Sequence, residues 1–228
     1  MKEAIWNRVG PASGVLFFAL LMAGASIHGY PAIRPSDAQL SSWLANLNLN
    51  QFRTGVYIEC LGILLLMPFV TWLYGRLRQG PRDSSWPAIT MLAAGAGWVV
   101  FTLPLMGGWA GLAEQAGKGL DVRTAQTIVA INQASYDLTG IVHGLFFVAA
   151  GVAIIRGGAM SRWAGWAAIV FGVIDVLSLP VGIDATPLGL LGYVWIFAVA
   201  IYCTVRPTAR LEANTAKQPV ASGIPATS

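Results

Sequence analysis

The sequence predicts an all-α polytopic membrane protein whose six transmembrane helices form one bundle. Of the 228 residues, 56% are hydrophobic and only 11% are charged, whereas soluble domains are about a quarter charged. The uncharged residues also gather in windows near or above the roughly 20 residues that a helix needs to cross the hydrocarbon core. We therefore predict a membrane domain over residues 1–210. A five-span protein with one re-entrant segment is the main alternative.

The uncharged windows give the predicted spans in chain order. Pro11 suits the first turn of the first span, because its missing N–H is not needed there. The basic start of the chain resembles a signal peptide, but the apolar run continues past Ala25, so we interpret it as an uncleaved helix. The predicted helices cover residues 11–30, 54–75, 86–112, 125–155, 162–182 and 187–206.

The distribution of Lys and Arg predicts that both termini are cytoplasmic. With the N-terminus inside, ten of the 14 basic residues fall on the cytoplasmic side. Such an excess in short loops follows the positive-inside rule. The sequence thus predicts a multi-pass cell-membrane protein. The four basic residues placed outside are Arg34, Arg53, Lys118 and Arg123.

The segments outside the spans differ in character. In the long first outer loop, Ser36 and Asp37 can cap a short helix. We predict that this helix lies on the outer membrane surface. Asp121 is placed to cap the fourth span, and the tail 211–228 has too little apolar content to fold, so we predict that it is disordered. The apolar face of the short helix would hold Leu40, Trp43, Leu44 and Leu47.

The fourth span carries an unusual set of polar residues within the apolar stretch from Thr127 to Ile155. At about 100° per residue, these residues and two glycines share one face about 140° wide. Polar and ionisable groups at membrane depth are expensive and usually functional, so we predict that this face points into the bundle. Its members are Asn132, Gln133, Tyr136, Asp137, Gly140, His143 and Gly144.

Ionisable residues on other spans match Asp137 in depth. Glu59, Asp175 and His28 all fall in the outer half of their spans, which predicts a polar pocket on the outer side. Carboxyl groups in apolar surroundings hold protons more readily, so we predict that Glu59, Asp137 and Asp175 handle protons. The other polar residues of the fourth span are predicted to bind substrate; they are Asn132, Gln133, Tyr136 and His143.

Each of these residues also has a simpler interpretation. Glu59 could pair with Arg53, about 9 Å away along the same helix. Asp175 could bond Ser178 or nearby backbone. The two histidines could be solvated at the interface or packed as neutral rings between helices. Asp137 is the hardest to dismiss, because its depth and its polar neighbours agree.

Several kinds of site lack a signal in the sequence. Cys60 and Cys203 lie in apolar runs without a CxxC spacing, so neither a disulfide framework nor a zinc site is indicated. There is no phosphate-binding loop, no dinucleotide fingerprint and no zinc-protease motif. The basic residues do not cluster as a nucleic-acid surface would require. We predict no cofactor, no metal and no nucleic-acid partner.

Three stretches resemble an uncharacterised family of six-helix bacterial integral membrane proteins, of the domain-of-unknown-function type. They are WNRVGPASGVLFF, LNLNQFRTGVYIECLGILLL and MSRWAGWAAIVFG, and the similarity covers most of residues 5–205. The resemblance implies a six-helix fold in a bacterial inner membrane and carries over Glu59. The third span departs from the family, because its core holds no charged residue. The resemblance implies no activity.

Three hypotheses about function remain open from the sequence. The first is a small proton-coupled carrier or sensor with an outward polar pocket. The second is an intramembrane enzyme that uses an acidic residue as general acid on a lipid or terpenoid-like substrate. The third is a non-catalytic membrane subunit whose polar residues fix helix packing. The lipid bilayer and a small-molecule or lipid-like ligand are the predicted partners, and the sequence does not decide whether the protein is an enzyme.

Overall fold

The computed structural model describes residues 2–32, 34–80, 82–116, 118–181 and 186–205. All regular structure in these ranges is α-helical. The predicted disordered tail, 211–228, lies outside the described residues. The helices are α1 (Lys2–His28), α2 (Asp37–Ala45), α3 (Leu49–Arg78), α4 (Ser85–Ala116), α5 (Val122–Gly157), α6 (Arg162–Val181) and α7 (Thr186–Val205).

Several helices are longer than the apolar windows that predicted them, because capping residues extend them into the loops. The side chain of Asn48 accepts the N–H of Gln51 at 3.1 Å and starts α3 ahead of its window. Asp121 caps α5 by accepting the N–H of Thr124 at 2.9 Å. The prediction that Pro11 begins the first helix is wrong, since α1 is already helical from Lys2 onwards.

Four helices are long and apolar enough to cross a membrane: the segment Ile5–His28 of α1, and the whole of α3, α4 and α5. Within the described residues, Gly189–Val205 of α7 is a shorter apolar helix. The outward faces of these helices expose large apolar side chains. Soluble monomers rarely show such extensive apolar surface. The fold is therefore all-α and has membrane-type helices. Examples of the exposed side chains are Leu64, Val100, Phe101, Ile131 and Leu138.

The six long helices form a closed ring in chain order. Each packs on the next, and α7 closes the ring by packing on α1. Aromatic rings fill the centre. The ring of Trp98 on α4 lies 6.0 Å from Phe17 on α1 and 5.6 Å from Tyr193 on α7, measured between ring centroids. This aromatic centre joins α4 to α1 and α7 across the bundle.

Glycines set the spacing between α5 and α6. A Cβ atom added to Gly144 would lie 2.6 Å from the carbonyl oxygen of Gly172. Two turns further along α5, Gly151 faces Gly165 of α6 in the same way. Such small residues let two backbones approach closely in lipid. Gly140 is looser, because a Cβ there would meet only the carbonyl oxygen of Asp175, at 3.7 Å.

The short helix α2 packs against the ends of α4 and α5. Ser36 caps it in a capping box with Gln39. The side chain of Leu40 on α2 is fully buried in a small hydrophobic cluster. Asp37 on the same helix accepts a hydrogen bond from Gln126 on α5. These contacts fix α2 over one end of the ring. The buried partners of Leu40 are Leu112, Ala125 and Val129.

Candidate functional site

Glu59 lies on the face of α3 that meets α1, and only 2% of the residue is exposed. A glycine on α1, Gly24, makes room for it. A Cβ atom at Gly24 would collide with the Glu59 side chain and would lie 2.6 Å from the carbonyl oxygen of Gly55. The two helices therefore touch through glycines at this level, and the Glu59 carboxyl group fills the space beside them.

The carboxyl group of Glu59 contacts two side chains, one from the end of α1 and one from the loop that follows it. Nε2 of His28, at the end of α1, lies 3.4 Å from Oε1. The hydroxyl of Tyr30, in the loop after α1, donates a hydrogen bond to Oε2. The same hydroxyl lies 3.4 Å from Sδ of Met106 on α4. We call His28, Tyr30 and Glu59 the acid–imidazole cluster.

The His28 ring is sealed between other side chains. Its side chain has no exposed surface. The ring meets Tyr30 edge-on, with 4.4 Å between centroids, and Phe52 at 4.8 Å. Neither ring nitrogen has a hydrogen-bond partner among the described residues, since the 3.4 Å approach to Glu59 lacks hydrogen-bond geometry. Unsatisfied polar atoms at a buried site are costly and call for a water molecule, a ligand or a functional role.

A turn after α1 brings Tyr30 into the cluster. Gly29 has a φ of 62°, and its N–H donates to the carbonyl of Ala25 at 3.1 Å. Glycine adopts this left-handed conformation without steric cost, so it ends the helix and reverses the chain. Tyr30 then packs on Trp109 of α4, with 5.5 Å between ring centroids. Burial, and then the charge and hydrogen bond of Glu59, raise the pKa of Tyr30.

The surroundings of Glu59 differ from the simpler interpretations of the sequence. Glu59 does not pair with Arg53, whose guanidinium instead binds Glu114 on α4 at 2.9 Å on the surface. His28 is buried rather than solvated at the interface. Sequence reasoning missed Tyr30, although its place directly after His28-Gly29 was a usable signal for a chain reversal at the end of a span.

Two predicted substrate-binding residues of α5 are buried in the ring. Asn132 packs against Gly108 of α4, where a Cβ atom would collide with its amide group. His143 lies against Trp98, with 4.1 Å between ring centroids. Nδ2 of Asn132 and Nε2 of His143 both lack a hydrogen-bond partner in the described part of the chain. These two positions therefore offer unused hydrogen-bonding capacity inside the bundle.

Tyr136 connects α5 to the aromatic centre. Its hydroxyl forms a side-chain hydrogen bond with Tyr193 of α7. Tyr193 also interacts electrostatically with both Glu59 and Asp175. This tyrosine therefore joins the polar face of α5 to the aromatic centre.

Asp137 and Gln133 lie at the flank of α5 rather than at its most buried face. Both are half-buried, and Nε2 of Gln133 donates to Oδ1 of Asp137 at 3.2 Å. Gly144, which is close to them in angle on the helix, contacts α6. Among the described contacts, none joins Asp137 to Glu59. The two acids therefore have separate side-chain partners.

Asp175 is buried on α6, roughly one turn inward of Asp137, since its carbonyl faces Gly140. The simpler interpretation of a bond to Ser178 holds only for the backbone: the Ser178 hydroxyl donates to the carbonyl oxygen of Asp175 at 2.8 Å, not to its carboxylate. The three predicted proton-handling acids thus differ in their contacts. Among the described residues, Glu59 is the acid whose carboxyl group meets side chains from another helix and from a loop.

Within the described ranges, no group of three or more His, Cys, Asp or Glu side chains is arranged to hold a metal ion. No protein-family model, no curated protein and no solved structure matches this chain. The resemblance to a six-helix bacterial membrane family therefore stays a prediction.

Proposed function

We propose that the chain is an integral protein of the bacterial inner membrane, with six spans, both termini in the cytoplasm and α2 on the outer surface. The closed ring supports this topology, since all six long helices take part in it. Exposed tryptophans at one end of the ring support it further, because tryptophan is enriched at membrane interfaces. They are Trp6, Trp86, Trp163 and Trp166, and basic residues accompany them at Arg78, Arg156 and Arg162.

Within this membrane domain, we propose a small proton-coupled carrier or sensor whose proton site is the acid–imidazole cluster. One observation carries the proposal: the carboxyl group of Glu59 and the ring of His28, both sealed from solvent, face each other at 3.4 Å between α1 and α3. A charged pair out of water has a large desolvation penalty. Ionisable groups kept at membrane depth in spite of this penalty typically serve ion or proton pathways.

The cluster can change its charge without exposing an isolated ion. Glu59 and His28 can hold one proton between them as an ion pair or as two neutral groups, and a second proton makes the pair cationic. Tyr30 donates to Glu59 and steadies its negative form. A gain or loss of one proton therefore alters the attraction between α1 and α3, which is the kind of two-state contact that carriers and sensors use.

The contacts of Glu59 favour this hypothesis over the two alternatives. A general acid must face its substrate, whereas both oxygens of Glu59 face protein side chains, those of His28 and Tyr30. A purely structural network would satisfy its buried polar atoms, yet both ring nitrogens of His28 lack a hydrogen-bond partner in the described structure. Asn132, Tyr136 and His143 would line the route inward from the cluster.

Charge movement in the absence of substrate tests the proposal. The protein would be reconstituted into liposomes, adsorbed on a solid-supported membrane and exposed to a rapid pH jump. We expect a transient current from proton binding in the wild type and its loss in Glu59→Gln. Glu114→Gln is the matched control, because Glu114 is an exposed carboxylate in a surface ion pair. Equal currents in Glu59→Gln and the wild type would exclude Glu59 as the proton site.

A further inference from the structure

A groove of ≈ 590 Å³ lies between α2 and the adjoining ends of α1 and α3. In the proposed topology it opens to the outer side of the membrane. The residues that line it include no Asp, Glu, Lys or Arg. The groove is therefore uncharged, and it combines apolar surface with several polar groups. The side chains that matter for its chemistry are Gln39, Ser42, Trp43, Asn46 and Gln51.

The groove offers several unused hydrogen-bonding groups. The amide nitrogen of Asn46 donates to the carbonyl of Ser42 at 2.8 Å, which leaves its side-chain oxygen free. Gln51 likewise donates to the carbonyl of Ile27 and keeps its own oxygen. The hydroxyl of Ser42 and the indole N–H of Trp43 have no partner among the described residues. Donors and acceptors thus alternate within one concave surface, as in sites for small polar ligands.

An apolar platform lies beside these groups. The Trp43 ring packs edge-on against Phe52, with 5.7 Å between centroids. This contact holds the indole in place, so that a ligand would not have to order it. A rigid indole next to neutral donors and acceptors matches molecules that carry hydroxyl groups around an apolar ring face.

His28 lies between the groove and the acid–imidazole cluster. It is among the residues that line the groove, but its side chain has no exposed surface. A ligand in the groove would therefore not reach its ring nitrogens. Glu59 lies behind His28 and does not line the groove. The negative charge is therefore not presented to the ligand, which argues against an organic cation.

We propose that this groove binds a small neutral polyhydroxylated molecule of the saccharide type. The inference rests on the proposed function only for the coupling of such a ligand to the proton site. The ligand contacts would come from Ser42, Asn46 and Gln51, with Trp43 under the apolar face of the sugar ring.

Saturation-transfer NMR on the full chain in lipid nanodiscs tests the proposal, with glucose and trehalose as probes and choline and succinate as charged comparisons. Ser42→Leu would fill the groove, and we expect binding of the two sugars to weaken about tenfold, the effect of losing one or two hydrogen bonds and blocking the site. Ala45→Leu is the matched control, since Ala45 is exposed on the same helix but does not line the groove.

If Ser42→Leu lowers the yield of folded protein, Ser42→Cys can be alkylated after purification in a chain that lacks Cys60 and Cys203. Absence of sugar binding by the wild type, binding of choline or succinate instead, or equal loss in Ala45→Leu would each overturn the proposal. The two proposals can fail separately. A current that depends on Glu59 without sugar binding removes the groove inference alone, and sugar binding without such a current removes the proton site alone.

Discussion

The imidazole of His28 meets the carboxyl group of Glu59 inside the contact between α1 and α3, and Nε2 and Oε1 are 3.4 Å apart. Glycines on both helices, Gly24 and Gly55, make the approach possible. The pair is thus built into a backbone contact, and a change in its charge acts directly on the spacing of two transmembrane helices. Stability measurements on this contact can therefore report on the site.

The first prediction is that His28 and Glu59 depend on each other for stability. His28→Leu would leave the buried carboxyl without the imidazole that faces it, and an unsatisfied buried polar group costs about 1–3 kcal/mol. Glu59→Leu removes the same contact from the other side. The double variant His28→Leu with Glu59→Leu removes both polar groups and should recover a large part of that loss. Unfolding in mixed micelles would measure the three variants as a cycle. Strictly additive effects would show that the two groups do not interact.

The second prediction concerns alkaline pH. Because the folded protein holds the Tyr30 proton more tightly than the unfolded chain does, the contribution of Tyr30 to stability is complete below about pH 10, the ordinary pKa of tyrosine, and is lost as the pH rises further. Tyr30→Phe should therefore reduce the alkaline loss of thermal stability. Tyr57→Phe is the control, since Tyr57 is 65% exposed. Identical pH profiles for Tyr30→Phe and the wild type would contradict the prediction.

The third prediction separates two glycines on α3. A Cβ atom at Gly55 would lie 2.8 Å from the carbonyl oxygen of Gly24 and would collide with the His28 ring. Gly55→Ala should thus push α1 and α3 apart and destabilise the protein by about 1–3 kcal/mol. Gly75→Ala has nothing within 4 Å and should be neutral or stabilise the helix by about 1 kcal/mol. If both variants melt at the same temperature, the contact at Gly55 is not as close as described.

The fold was largely predictable because its main signal is local. Uncharged windows and basic loops marked the long helices, and Gly144 and Gly151 marked the face of α5 that packs on α6. The helix ends were less accurate, because caps such as Asn48 extend a helix past its apolar window. The start of α1 was also misplaced, since the helix begins at Lys2, ahead of the apolar run that predicted it.

The site was only half predictable, because it depends on which helix faces which. The sequence singled out Glu59 as a proton-handling acid, but its partner Tyr30 comes from a loop that a left-handed Gly29 turns back onto the bundle. The sequence analysis grouped Asp137 with Glu59 only because the two residues are predicted to lie at a similar membrane depth. Depth is a one-dimensional measure, and in a ring of six helices two residues at one depth can lie on opposite sides. The helical wheel likewise located the polar face of α5, but it did not show that Asp137 lies at the edge of that face.

The fourth prediction follows from that separation of the acids. Asp137 shares a hydrogen bond with Gln133 on its own helix at 3.2 Å, and no described contact joins it to the acid–imidazole cluster. Asp137→Asn keeps the size of the side chain and can still accept from Gln133, so the pH-jump current should persist at close to its wild-type size. Glu59→Gln is equally conservative in shape and should abolish the current, because it removes the group that exchanges the proton.

The paired measurement on one preparation of liposomes compares two isosteric changes at similar membrane depth. Loss of the current in Asp137→Asn, with its retention in Glu59→Gln, would move the proton site to the α5–α6 side of the ring, where Asp175 would become its nearest acidic neighbour.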